Sequence, residues 1–116
     1  VANLRKVNGD WALEEDTLVV MSVEDEPEVR ILANDAEGRR WEFTLGDGAT
    51  KSSLQNLIGQ KVLKVVALAA GELRLQFGDG TDLSVSPRDD VEAWEIRCGG
   101  ESVLIGAPTG GGVIAF

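Results

Sequence analysis

Apolar and polar residues alternate with a period of two through most of the chain. The sharpest stretch runs from Leu73 to Val85. Leu73, Leu75 and Phe77 alternate with Arg74 and Gln76, and Thr81, Leu83 and Val85 alternate with Asp82 and Ser84. Such a period assigns each set to one face of a strand. The connection between the two runs decides their register. A two-residue turn at Asp79-Gly80 would set Phe77 opposite Asp82 and mix the faces. A three-residue loop, Gly78-Asp79-Gly80, sets Phe77 opposite Thr81, Leu75 opposite Leu83 and Leu73 opposite Val85, all on one face. That loop needs a left-handed residue at its end, which Gly80 supplies without steric cost.

Further strands follow from the same periodicity. Val1 to Asp10 reads as a lead-in ending on the turn signal Asn8-Gly9-Asp10, and Trp11 to Leu13 as a short strand. Thr17 to Val23 carries Val19, Met21 and Val23 on one face and Leu18 and Val20 on the other, the pattern of a central, covered strand. Pro27 breaks it within Glu24 to Glu28. Val29, Ile31 and Ala33 form the next apolar phase, closed by the turn Asp35-Ala36-Glu37-Gly38. Trp41, Phe43 and Leu45 follow, ending on Gly46-Asp47-Gly48, which echoes Gly78-Asp79-Gly80 as a favoured turn. Ser52 and Gln55 have capping-box spacing, Leu54, Leu57 and Ile58 share a face, and Gly59 stops the run, which predicts a helix of one or two turns.

Lys61 to Leu68 is apolar on both faces apart from Lys64. Trp94, Ile96 and Cys98 alternate, and Val103–Gly106 and Val113–Phe116 are the last strands, with Pro108 to Gly112 between them. The pattern predicts a mostly β fold: a single antiparallel sandwich or roll of about eight or nine short strands with one short helix. Residues 1–116 form one domain, with an acidic β segment (1–49), a short helical connector (50–60) and a β segment (61–116).

Composition changes the picture in three ways. A chain of 116 residues supports one core. No apolar run approaches the ~20 residues of a membrane helix. It starts at Val1 rather than Met, which fits processing or excision from something longer. Its net charge is −9, with 5 basic and 12 acidic residues in 1–49 against 6 and 8 in 50–116. Nucleic acid and anionic membranes demand a basic face, so neither is an expected partner. A basic protein is compatible, with Glu14, Glu15, Asp16, Glu24, Asp25, Glu26 and Trp11 as candidate contacts. The same charge also serves solubility. The two acidic turns fall at opposite ends of the Thr17–Val23 strand, roughly 20 Å apart.

The chain holds no histidine and no tyrosine. Ser-His-Asp and Cys-His catalysis and His-containing zinc sites are therefore excluded. Cys98 is the one cysteine, so no internal disulfide forms, which fits a reducing, cytoplasmic compartment. Its place in an alternating strand predicts a buried, inert thiol. Asp79, Asp82, Asp89 and Asp90 lack EF-hand spacing. Gly110-Gly111-Gly112 is not followed by the Lys-Ser/Thr of a phosphate loop. No catalytic, cofactor or metal residue is assigned, and no cofactor is expected. Trp41 and Trp94 are in phase with apolar neighbours, whereas the phase of Trp11 is open.

Leu57-Ile58-Gly59, the strand Val62–Leu68, the hairpin Leu73–Gly80, Glu92-Ala93-Trp94-Glu95 and the Gly-rich Pro108–Gly112 form a recurring order of motifs. From Leu57 to Phe116 the chain resembles a family of small, uncharacterised bacterial proteins common in actinobacteria. Residues 1–56 carry none of these motifs. The motifs are turns and core positions, so the resemblance implies a fold and assigns no functional residue. Some small proteins of similar look are proposed immunity proteins for secreted toxins. The expected function is a non-catalytic protein-binding domain, with an immunity-type inhibitor of a basic protein as its sharpest form. The alternatives are a structural or oligomerisation module, a homodimer paired through Val113–Phe116, and a small hydrolase using two carboxylates.

Overall fold

The computed structural model describes residues 4–13, 18–24, 28–46, 54–108 and 112–116. Eleven strands follow in chain order: β1 (Leu4–Val7), β2 (Asp10–Leu13), β3 (Val19–Glu24), β4 (Val29–Asn34), β5 (Arg40–Gly46), β6 (Val62–Ala67), β7 (Leu73–Phe77), β8 (Asp82–Val85), β9 (Trp94–Cys98), β10 (Glu101–Gly106) and β11 (Val113–Ala115). They form a five-stranded sheet ordered β1-β2-β6-β7-β8 and a six-stranded sheet ordered β11-β10-β9-β5-β4-β3. All named pairings are antiparallel.

Alternation builds the core. Ile31 and Ala33 of β4, Trp41, Phe43 and Leu45 of β5, and Ile96 of β9 are buried from the six-stranded sheet. Val65 and Ala67 of β6 and Leu73, Leu75 and Phe77 of β7 are buried from the other. Each large side chain in this layer contributes about 1.5–3 kcal/mol by leaving water. The β7–β8 hairpin has the register the alternation predicts, with Leu73 opposite Val85 and Leu75 opposite Leu83. Phe77 N–H donates to the Thr81 carbonyl at 2.9 Å, and Gly80 takes φ +91°. Trp94 is buried as its phase predicts, and its indole N–H donates to the Gly71 carbonyl at 2.8 Å. It lies so close over Gly106 that a Cβ there would meet Trp94 Cε2 at 2.5 Å.

Four expectations change. The predicted lead-in contains a strand: Asn8 and Gly9, both at positive φ, turn β1 onto β2 with Val7 opposite Asp10. That adds to the predicted eight or nine strands. The Thr17–Val23 run is not central, because β3 ends the six-stranded sheet. A β-bulge places Met21 between register partners Val20 and Ser22, which oppose the adjacent Ala33 and Leu32. The extra residue re-phases the strand, so Val20 and Val23 are both buried while Met21 is 54% exposed. A second bulge at Leu63 does the same to β6: Val62 and Val65 are buried, and Leu63 is 55% exposed. The helix shrinks to one 3-10 turn, Gln55–Leu57, with no side-chain cap. Its predicted cap, Ser52, lies outside the described residues. Cys98 packs against the core but is half-buried rather than buried.

The two sheets are stitched along one side. Leu13 pairs with Val65 on one edge of β6. On the same edge Val19 bridges to Lys61, Val62 N–H donates to the Leu18 carbonyl at 2.8 Å, and Val20 N–H donates to the Gln60 carbonyl at 2.9 Å. β2 and β3 therefore run antiparallel along β6 one after the other, the first in the five-stranded sheet and the second in the six-stranded one. The 3-10 turn buries Leu54 and Leu57 beside this seam, where Gly59 N–H donates to the Val20 carbonyl.

Candidate functional site

Two surfaces can meet a partner. The first is one end of the sandwich. Trp94 on Gly71 and Val29 opposite Gly46 bring to this end the start of β4, the β6–β7 turn and the 86–93 crossover between the sheets. Glu28, Asp89, Asp90 and Glu92 are exposed there, and Asp10 and Glu72 lie at the same end. Asp10 accepts from Ala69 N–H at 2.8 Å, and Glu72 pairs with Arg74 at 3.1 Å.

Of the residues proposed from sequence, Glu14, Glu15, Asp16, Asp25 and Glu26 lie outside the described residues. Glu24 ends β3 and is tied to Arg30 of β4 by a 2.8 Å ion pair on the outer face of the six-stranded sheet. Trp11 is half-buried in β2 and packs against the core, with Lys6 Nζ 5.5 Å from its ring centroid.

The second surface is a groove of about 510 Å³ on the outer face of the five-stranded sheet. Asp10 comes from β2, Lys64 and Val66 from β6 with Leu68 just beyond, Arg74 and Gln76 from β7, and Asp82 and Ser84 from β8. Register explains the gathering: Val66 opposes Arg74, which opposes Ser84, and Lys64 opposes Gln76, which opposes Asp82. These are the polar phases of three adjacent strands. The alternation marked Arg74, Gln76, Asp82 and Ser84 as outward. The order β6-β7-β8 and the β6–β7 register, which sequence reasoning missed, bring Lys64 onto the same row.

Among the described residues, two carboxylates have shifted affinities for protons. Burial pushes Asp35 up, but hydrogen bonds from Trp41 Nε1, from the N–H and guanidinium of Arg39 and from Glu37 N–H outweigh it and hold the group below its ordinary value. Asp79 is lowered by Thr81, whose N–H donates to it at 2.9 Å. Both serve turns. Among the described residues no group of three or more Cys, Asp or Glu side chains is placed to hold a metal ion. No helix of the described residues is long and apolar enough to cross a membrane.

This two-sheet fold defines a class of small antiparallel β domain. The chain belongs to a family of unknown function, DUF6188, whose family model matches residues 12–115. The match extends well before Leu57, into the first half that carried no recognised motif. Neither the curated proteins nor the solved structures hold a match to the chain.

Proposed function

We infer that the chain is a non-catalytic binding domain that meets a basic protein with the acidic end of its sandwich. The observation behind this reading is the gathering of Glu28, Asp89, Asp90 and Glu92, all exposed, at one end of the fold. At that end Arg30 and Arg74 are tied to Glu24 and Glu72, and Arg88 is exposed beside Asp89 and Asp90 in the 86–93 crossover. A predominantly acidic rim steers a complementary partner and speeds its association. An inhibitor of immunity type, covering the basic surface of an enzyme, is the form of this reading that the charge best suits.

The test pairs the intact domain with a variant carrying Asp89→Asn, Asp90→Asn and Glu92→Gln, each used as bait at low and at high salt. A basic protein held by the intact domain at low salt, released at high salt and lost from the variant supports the reading. Retention that ignores both salt and the substitutions overturns it.

A second reading, an oligomerisation module, rests on the edge strand β11, where Ile114 is 44% and Phe116 67% exposed. Sedimentation of the domain across concentration decides it: a mass that stays monomeric removes this reading. The carboxylate hydrolase has no comparable support among the described residues, where both shifted carboxylates are lowered rather than raised.

A further inference from the structure

Four polar side chains of the groove, Lys64, Gln76, Asp82 and Ser84, are engaged with nothing among the described residues. Lys64, Gln76 and Asp82 form one row across three adjacent strands, and all three are exposed. Their neighbours are held: Arg74 by Glu72, and Asp10 by Ala69 N–H. Lys64 and Asp82 carry opposite charges. Had they stood on adjacent strands they would close on one another. Gln76 between them keeps their backbones two strand spacings, ~10 Å, apart. Both heads therefore face the groove. One row further along, Val66 and Leu68 add half-buried apolar surface to the same wall.

A ligand complementary to this row carries a carboxylate and a cation in the opposite order, an amide between them and an apolar side chain. We propose that the groove binds a short zwitterionic peptide, with its terminal carboxylate on Lys64, its ammonium on Asp82, its peptide group on the Gln76 carboxamide and a side chain against Val66 and Leu68. The dimensions agree. The groove, at about 510 Å³, falls within the size of small-ligand sites, roughly 300–1,000 Å³. An extended dipeptide is ~7 Å long, and hydrogen bonds of ~2.8 Å at each end let it bridge the two charges, with the lysine stem taking up the difference. A net charge of −9 repels free anions, whereas a zwitterion approaches without that penalty. An internal segment of a protein has no termini and would need an acidic and a basic side chain at this spacing to satisfy both ends.

The probe is leucyl-leucine, titrated into the isotope-labelled domain and followed by amide chemical shifts. Its N-acetylated and C-amidated forms are compared with it. The expected result is saturable shifts clustered on 64–66, 74–76 and 82–84, with Kd about 0.1–10 mM for a ligand of this size. Each cap should weaken binding roughly three- to tenfold, the scale of one exposed charge-assisted contact. Asp82→Asn should abolish the effect of the acetyl cap, and Lys64→Met the effect of the amide cap. Both positions are exposed, and unchanged spectra elsewhere verify that the variants fold. Three outcomes overturn the proposal: no saturable shift, binding indifferent to both caps, or cap effects that survive the substitutions. The Asp89, Asp90 and Glu92 variant should bind the peptide normally, so this site and the acidic end stand or fall separately.

Discussion

Asp35 shows how much one residue can organise. Its carboxylate is buried at the β4–β5 turn and accepts four hydrogen bonds, two from backbone N–H groups, one from the Arg39 guanidinium and one from the Trp41 indole. Removing it strands a buried indole N–H and takes from Arg39 its 2.8 Å carboxylate, leaving it Glu37 at 3.4 Å. Asp35→Ala should therefore cost roughly 2–4 kcal/mol in chemical denaturation. The pH dependence follows from the lowered proton affinity. The ordinary value is 3.8 and the folded value lies below it, so the stabilisation is complete above that pH. It fades as pH falls through the folded value, when the native carboxylate must accept a proton. A melting series from pH 5 downwards should show a steep acid loss that Asp35→Asn flattens. The sequence revealed the turn at Asp35 to Gly38 but not this role, because nothing in the spacing says that Trp41 reaches back to the carboxylate. Trp41 and Trp94 were legible as core for a simpler reason: each sits in phase with apolar neighbours.

Among the elements, the β7–β8 hairpin was readable pair by pair, since only one loop length keeps Leu73, Leu75 and Phe77 on the face of Val85, Leu83 and Thr81. β3 and β6 were not. Their bulged residues, Met21 and Leu63, are themselves apolar, so an extra residue hides inside a continuous apolar run and imitates a strand covered on both sides. The groove was half legible: Gln76, Asp82 and Ser84 follow from the hairpin, but Lys64 joins them only through the pairing of β6 with β7, which the alternation does not specify. The phase of β3 gives a direct test. Met21→Lys should change the denaturation midpoint little, with a cost within about 0.5 kcal/mol for an exposed position. Val23→Lys places an ammonium in the core and should unfold the domain or cost several kcal/mol. Equal effects of the two would mean that Met21 faces inward.

At the scale of the molecule, each sheet draws on both halves of the chain. β1 and β2 pair with β6 to β8, and β3 to β5 pair with β9 to β11. The acidic first half is therefore not a separate acidic lobe. Its carboxylate Glu28 shares an end with Asp89, Asp90 and Glu92 of the second half, a gathering that charge counting along the chain could not show. The seam along β6 carries this interleaving furthest, since residues 11–13 and 18–20 there meet residues 60–67. Expressed as separate pieces, 1–53 and 54–116 should each lack the cooperative melt and tryptophan burial of the whole, as monitored by fluorescence. The seam has a further consequence for biosynthesis. While the chain emerges from the ribosome, Trp11, Leu13, Leu18 and Val20 leave the tunnel about 50 residues before the strand that receives them, at rates near 5–20 residues per second. For those seconds the nascent segment shows bare apolar surface and an unpaired strand edge, and the excess of acidic residues in that half favours its solubility.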